Sequence, residues 1–597
     1  MSIVQHIQKS VTDSLISLFE QPFTASDFQV NKTVENFEGD YTVVLFSLIK
    51  KLKLSPDALG SQLGDHLTKT CPELFTKYNV VKGFLNLSIA DHYWLQLLKE
   101  NYADAGYGKK APNGQKVMVE YSSPNTNKPL HLGHLRNNFL GWAVAEILKA
   151  TGYDVVKSCI VNDRGIHICK SMIAWQLFAN GATPQSTGNK GDHFVGKYYV
   201  KFNDEYKKQV DELIAAGHTK ADAEKEAPIM KATQQMLLDW EAGKPDVMEL
   251  WRKMNGWVYE GFDITYKRIG SDFDKTYYES DTYLLGKKTV EEGLAKAVFI
   301  KKDDNSVWID LTADGLDEKV VQRKDGTAVY MTQDIGLAQQ KYDQYKIDQS
   351  IYVIGNEQNY HMKVLQLICK KLGMPFADGI YHLSYGMVEL TSGKMKSREG
   401  TVVDADDLVD EMVNTSRQHT EELGKVKDFT ADELTELYDT IGLGAMKFYL
   451  LRVDPKKTMV FNPQESIDFH GFTGPFVQYT HARIRSILRK EQSAVGGQSR
   501  SLSGAVSSLL PLEKDVLVFL EQYPTILEQA ANEHNPSVIA SYVFHLAKTF
   551  NSFYTEHSIA NAESEDKKQL RLQLATMTAN VIKSGMELLG IRVPERM

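Results

Sequence analysis

Cysteine is scarce in this chain, with four residues in 597: Cys71, Cys159, Cys169 and Cys369. None stands in a C-x-x-C arrangement, so neither a disulfide framework nor a structural zinc site is indicated, and reduced, mostly buried thiols are expected. Long apolar runs are also missing. No stretch of about 18 apolar residues occurs, so nothing reads as a membrane span. The opening MSIVQHIQKSVTDSLISLFE mixes Gln, Lys and Asp among apolar residues, unlike the basic start and unbroken apolar run of a signal peptide. A cytoplasmic protein with no membrane partner is expected. Positive charge is in deficit too: 68 basic residues against 77 acidic ones leave a net −9, the wrong sign for a general nucleic-acid coat. Net charge does not, however, describe local patches.

What is present is ordinary in bulk and specific in detail. Apolar residues make up 42% and charged residues 24%, near the average for globular proteins, which excludes disordered and collagen-like classes. The length predicts about two to four domains. Residues 1–110 read as helices and short strands, with VVKGFLNLSI (80–89) near their end. KVMVEYSS (116–123) reads as a strand, LRNNFLGWAVAEILKATG as a long helix, YDVVKSCIVND as a strand leading into a helix, and SIYVIGNEQ as a buried strand. Strands alternating with helices over 111–430 predict an α/β domain with a mainly parallel sheet. The stretch 201–250, with seven basic and eleven acidic residues, reads as a solvated helical insertion within about 190–260. From about Thr430 strands are expected to disappear, leaving 431–597 all helical apart from a Gly/Ser-rich loop at 493–508.

The strand ending at Ser123 runs into PNTNKPLHLGHLRN, where His131 and His134 flank Gly133 as a loop becomes a helix. A helix start offers unpaired N–H groups and positive dipole, which suits a polyphosphate. Two imidazoles there can donate hydrogen bonds as charge develops in a transition state. Gly133, without a side chain, lets a flat group such as adenine lie against the backbone. Alone, the pair could equally be surface histidines or half a metal site; its position between a strand and a helix favours the phosphate-binding reading.

EYSSPNTNKPLHLGHLRN resembles the first signature of the class I aminoacyl-tRNA synthetases, and in particular the arginyl group, which carries Ser-Pro-Asn ahead of H-x-G-H. The resemblance continues through GDYT (39–42), GFLN (83–86), VNDRG (161–165), GDHFVGKYYV (191–200), RKDGTAVYMTQDIG (323–336), YVIGNEQ (352–358), GMVELTSGKMKSREGTVV (386–403), FTGPFVQYTHARIRSIL (472–488) and the terminal PERM. It implies an α/β, Rossmann-like parallel-sheet catalytic domain, a small α+β N-terminal domain that contacts tRNA, and an all-helical C-terminal anticodon-binding domain. It implies two steps: L-arginine attacks the α-phosphorus of ATP, and the terminal ribose of arginine tRNA then takes the arginyl group. Most members need bound tRNA for the first step. ATP enters with Mg²⁺, no protein-held metal is expected, and monomers are common in the family.

By that resemblance His131 and His134 stabilise the pentavalent phosphorus, with Pro124, Leu132, Gly133 and Met395 also lining the ATP site. SGKMKSREG (392–400) stands where the family carries Lys-Met-Ser-Lys-Ser, and departs from it: Ser397 replaces the second lysine. Arg398, aided by Lys396 or Lys394, is expected to hold the leaving pyrophosphate, since a guanidinium can grip two oxygens. Arg164 is a second departure, because many relatives have Trp there.

Tyr330 and Asp334 are four apart in a helical stretch and can share one face, a suitable seat for a planar cation. Taken alone they could be an ordinary surface pair. The resemblance assigns Tyr330, Asp334 and Gln358 to arginine, with Glu120 and Asn125 at its α-amino and carboxylate end and Glu279 as a second guanidinium contact. A site that pairs several acceptors with guanidinium rejects lysine without editing.

Residues 441–490 hold eight basic residues against three acidic ones, with Phe476, Tyr479 and His481 interleaved. Cations beside aromatics suit an RNA loop, although the residues alone favour a helix with a solvated basic face and core aromatics; the resemblance, in which this helical domain reads the anticodon, implies Arg452, Tyr479, Arg483 and Arg485 as tRNA contacts. Tyr41 and Asn86 are expected to touch the tRNA corner. Competing functions are a free-standing nucleotidyltransferase, a class I synthetase for another amino acid, and a silent synthetase-like RNA-binding protein.

Overall fold

A computed structural model describes residues 2–34, 36–327, 329–390, 403–422, 428–494 and 508–597. The N-terminal region begins with the helix Ile3–Phe19, started by Ser2, whose hydroxyl accepts from Gln5 N–H while the Gln5 side chain returns to the Ser2 N–H. Its buried face repeats every four residues: Ile3, Ile7, Val11 and Leu15. With the helix Pro56–Thr70 it backs an antiparallel sheet of β1 (Gln29–Lys32), β2 (Tyr41–Val44), β3 (Phe75–Val81) and β4 (Phe84–Ile89), ordered β1-β2-β4-β3. The β3–β4 hairpin closes on Lys82 and Gly83 at φ 47° and 89°, the left-handed pair that a two-residue turn requires.

The central sheet takes β5 (Lys116–Glu120), β6 (Asp154–Val161) and β7 (Lys275–Tyr278). After a small antiparallel sheet of β8 (Ile300–Lys301), β9 (Val307–Ile309) and β10 (Lys319–Gln322), it adds β11 (Gln349–Gly355) and β12 (Ile380–Tyr385). All five strands are parallel, in the order β12-β11-β5-β6-β7. Val117, Val119, Ile351 and Val353 are buried at 1% exposure or less, as in a sheet covered on both faces. The chain winds one way from β5 to β7 and the other way from β11 to β12. The strand order therefore reverses between β5 and β11, where a crevice opens at the carboxyl edge.

Two expectations need correction. The stretch between β6 and β7 is not a loose surface hairpin. Its helices, including Gly191–Ala215, Pro228–Glu241 and Pro245–Ile269, bury Phe194, Phe202, Trp240, Trp257 and Val258 in the main core, and Asp192 with them. Nor do strands end at Thr430. Beyond the helix Ala431–Leu451, β14 (Met459–Phe461) pairs in parallel with β13 (Val388–Leu390), a pairing between segments too far apart for a local pattern to reveal. The remaining described C-terminal residues are helical: Gly474–Ala494, Pro511–Glu533, Pro536–Glu556 and Glu565–Leu588. No described helix is long and apolar enough to cross a membrane. All four cysteines are free, three of them buried and Cys71 half-buried.

Candidate active site

The site is assembled at the carboxyl edge of the parallel sheet. Directly after β5, Ser122 and Ser123 take φ of 78° and 45°, a left-handed path that non-glycine residues adopt only when their surroundings hold them. The hold comes from the helix Leu132–Ala150. Asn137 Oδ1 accepts from Ser122 N–H at 2.5 Å, Asn138 Nδ2 donates to Ser122 Oγ at 3.1 Å, and Tyr266 OH pairs with the same Oγ at 2.6 Å. Asn137 also donates to Val353 O of β11 at 2.7 Å, so one side chain spans the crevice. Arg136, 2% exposed, donates to four carbonyls, Gly386 (2.5 Å), Met387 (3.0 Å), Pro455 (3.4 Å) and Lys457 (2.8 Å). It thereby fixes the entry to β13 and β14. These three residues escaped the sequence reading; the signal was Arg-Asn-Asn inside an otherwise largely apolar helix.

His131 caps that helix. Its Nδ1 accepts from Gly133 N–H at 3.1 Å, and His134 Nδ1 accepts from His131 N–H at 3.2 Å, with ring centroids 3.9 Å apart. With both Nδ1 atoms accepting, each neutral ring carries its proton on Nε2, so both present an N–H donor. Burial, with the positive charge of Lys128 nearby, pushes His131 down to about 3. Burial, then His131 and Lys128, drive His134 well below the ordinary histidine range. Lys128 is thus a cation of this site that the sequence reading did not single out. Gly133 has a packing reason as well: a Cβ there would lie 3.0 Å from His131 Cε1 and would push the ring aside. Pro124 and Leu132 are buried beneath the motif.

Carboxylates follow β6 and β7 at the same edge of the sheet. Glu279 follows β7 and its pKa is pushed up to about 7, first by burial and then by Asp163 and Asp334, against the opposing pull of Arg164. Asp163, just after β6, accepts from Ser280 N–H (2.9 Å), Ser280 Oγ (2.7 Å) and Tyr259 OH (2.8 Å), and so sets the turn that carries Glu279. The helix Tyr330–Tyr345 starts with Tyr330, 71% exposed, and one turn on Asp334 meets His361 Nε2 at 2.6 Å. Gln358 is exposed directly after β11. Asn125 is exposed too, its backbone bridged to Asn162 at the end of β6. Glu120 departs from expectation: it is buried and bonded to Lys341, itself 1% exposed, so its carboxylate is engaged inside the protein. Arg164 lies flat over the Tyr283 ring (4.0 Å) and near Trp240 (5.1 Å), and pairs with Glu241 at 3.2 Å. A planar guanidinium against two rings is a cation–π arrangement; nothing in the structure explains the Trp-to-Arg difference.

Lys394, Met395, Lys396, Ser397 and Arg398 lie outside the described residues. Beyond that segment, residues 403–405 run beside the histidine motif and lead into the helix Ala405–Glu422. Among the described residues, Asp192, His193 and Asp406 form one group with metal-ligand spacing. A cation of the protein already stands in it: Lys190 Nζ lies 2.6 Å from Asp406 Oδ2 and 3.1 Å from Asp192 Oδ2.

Several expected tRNA contacts are engaged internally. Asn86 is 2% exposed, accepts from Thr42 Oγ1 at 2.6 Å and donates to Asn79 at 2.8 Å, so it is a sheet-interior residue. Tyr41, 3% exposed, reaches only the wall of a cleft of about 1440 Å³ between the N-terminal sheet and the helix Pro511–Glu533. Arg485 Nε donates to Glu595 Oε2 at 2.6 Å and Arg489 to Glu595 O at 2.8 Å, while buried His481 meets Pro594 O at 3.0 Å. The basic count of 441–490 omitted this C-terminal acid. Phe476 packs on Phe544 (5.1 Å), and Lys447 is buried with its ammonium 2.6 Å from Gly590 O. Arg452 packs on Tyr449 and donates to Phe472 O. Arg483 lies over Tyr479 and donates to Asn551 at 3.1 Å.

Comparison with known proteins gives consistent matches along the whole chain. Residues 96–462 match the family described as tRNA synthetases class I (R), catalytic domain; residues 477–597 match the DALR anticodon binding domain; residues 5–89 match the arginyl tRNA synthetase N terminal domain. An arginine–tRNA ligase of Amoebophilus asiaticus is 51% identical and one of Flavobacterium psychrophilum 52%, each alignment covering 100% of both chains. In fold, the chain is similar to the arginyl-tRNA synthetase of Thermus thermophilus (TM-score 0.79, 24% identity, 100% of both chains). It is also similar to that of Plasmodium falciparum (TM-score 0.75, 17% identity, 100% and 99%).

Proposed function

This chain belongs to the class I arginyl-tRNA synthetases, and from that premise we propose how its own residues divide the work. It is an arginine–tRNA ligase that charges tRNA with arginine in two ATP-dependent steps. In the first, a carboxylate oxygen of arginine attacks the α-phosphorus of ATP as the bond to pyrophosphate breaks. In the second, a terminal ribose hydroxyl of the tRNA attacks the adenylate carbonyl and AMP leaves. No covalent bond to the enzyme is needed.

The reading is carried by one observation: two neutral imidazoles at a helix start, whose Nε2–H donors are fixed by their own backbone, beside the carboxyl edge of the parallel sheet. His131 and His134 donate to the phosphate oxygens as negative charge grows there. Being neutral, they lose no proton in doing so, and being locked they need no reorganisation. Lys128 adds a fixed positive charge, and Arg398 with Lys394 and Lys396 completes the grip on pyrophosphate, while Mg²⁺ enters with ATP as part of the substrate. On the opposite side Glu279 and Asp334 accept the guanidinium N–H groups, Tyr330 covers its plane, and Gln358 and Asn125 orient the backbone end. Lysine leaves some of those acceptors unpaired, which costs it affinity. Arg452, Tyr479 and Arg483, on the helical C-terminal side, are the remaining candidates for anticodon contact. The enzyme works as a cytoplasmic monomer, and arginine activation waits on tRNA.

The test is pyrophosphate–ATP exchange with purified protein. Exchange is expected with arginine and arginine tRNA together and not with arginine alone. Exchange driven by another amino acid, or none under any condition, refutes the assignment.

A further inference from the structure

One carboxylate stands beside the histidine motif, where a polyphosphate should find none, and a second follows two residues on. Residues 403–405 run antiparallel to 130–132: Ala405 N–H donates to Leu130 O at 3.0 Å and Leu132 N–H to Val403 O at 3.4 Å, which pairs His131 with Asp404. Asp404 caps the helix Ala405–Glu422 by accepting from Asp406 N–H at 2.8 Å, and its charge is felt at the His131 ring. An unpaired carboxylate this close would repel the phosphates that the imidazoles bind.

Both carboxylates are met by cations from the segment between β6 and β7. His193 Nε2 lies 3.2 Å from Asp404 Oδ2 and 3.2 Å from Asp406 Oδ2. Lys190 Nζ lies 2.6 Å from Asp406 Oδ2, 3.1 Å from Asp192 Oδ2 and 2.5 Å from Thr265 Oγ1, and Thr265 donates in turn to Asp406 Oδ1 at 3.0 Å. Asp406 thus has both oxygens satisfied. Hydrogen bonds to Asp404 and Asp406 hold His193 as an imidazolium, its pKa pushed up to about 10. Although burial works against it, Asp406 is kept well below the carboxylate range by bonds from His193 and Lys190. With the ammonium of Lys190 in the centre, the cluster is an ion network of the chain's own making.

We propose that Lys190 and His193 are positioning residues for arginine activation: they cancel Asp404 and Asp406 and keep residues 403–405 seated against His131, so that ATP phosphates meet neutral donors and no bare carboxylate. This rests on reading His131 and His134 as the ATP site. It gives the segment between β6 and β7 a part in ATP binding, although no residue of it belongs to the histidine motif.

The experiment is exchange with tRNA present, varying ATP and arginine separately. His193→Gln should raise the KM for ATP about tenfold while the KM for arginine stays within about twofold, as expected for one unmasked charge on the phosphate side. Adding Asp404→Asn to that variant should return the KM for ATP most of the way, because Asn removes the charge and still caps a helix. A merely structural role predicts the reverse, with the second substitution compounding the first. Masking is overturned if the KM for ATP does not move, if both KM values rise together, or if Asp404→Asn fails to restore it. If His193→Gln does not fold, Lys190→Met with and without Asp406→Asn carries the same expectations. If His131→Asn were also without effect on ATP kinetics, the ATP-site reading itself would fail, not the masking alone.

Discussion

The two sides of the crevice handle charge in opposite ways. On the phosphate side the imidazoles are half-buried and neutral, and the neighbouring carboxylates, Asp404 and Asp406, are matched to cations the protein supplies. On the arginine side Glu279 and Asp334 press on one another while Arg164 pulls on Glu279, and Asp334, 41% exposed, pairs with His361. Each side is left complementary to what it must receive: donors whose neighbouring negative charge is matched for a polyanion, and a pair of mutually repelling carboxylates for a guanidinium. Both lie on the edge of one sheet, so the difference comes from what is packed behind the side chains.

The largest effect should come from breaking the phosphate side. His134→Ala is expected to lower the rate of arginine activation about 10²–10³-fold, the range for removing one transition-state donor; pre-steady-state adenylate formation measures it. A loss smaller than tenfold would mean the ring is not a donor in the transition state. On the arginine side, Asp334→Asn should raise the KM for arginine about 10²-fold by leaving a guanidinium partner unmatched, with the KM for ATP little changed. Equal losses for both substrates would erase the distinction between the sides.

A smaller effect sharpens the comparison. With its pKa pushed up to about 7, Glu279 is largely protonated below neutrality. Guanidinium binding needs the carboxylate, so arginine binding must expel that proton. The KM for arginine should therefore rise by about tenfold for each pH unit below 7 and level off above it. Glu279→Gln should bind arginine more weakly and with a flat profile. For ATP no such slope is expected, since both site histidines are already neutral. A matching slope in the KM for ATP would show that the two sides titrate together.

Legibility in the sequence followed distance along the chain. The histidine pair, its loop-to-helix setting and the Tyr330–Asp334 spacing were readable because each is decided within a few residues by one turn of helix. The α/β plan was readable for the same reason, through local alternation of strands and helices. The basic window 441–490 misled because Glu595 and the backbone of Pro594 engage Arg485, Arg489 and His481 from about a hundred residues away. Asn86 misled because a polar residue at a turn-rich motif can still face a sheet interior. Glu120 looked like a substrate ligand until Lys341, brought beside it by the fold, claimed its carboxylate.

The sequence by itself determined which groups are available and in what local geometry: two imidazoles at a helix start, a strand ahead of them, acids and an aromatic at helical spacing. These depend on covalent neighbours and on the period of the backbone. Only the tertiary structure decided the state of those groups. It set which ring nitrogen carries the proton, which carboxylates are matched and which are left for substrate, and that His193 is a cation while His131 and His134 are not. Protonation is governed by burial and by charges within a few ångströms, and those charges arrive from segments that only the fold brings together.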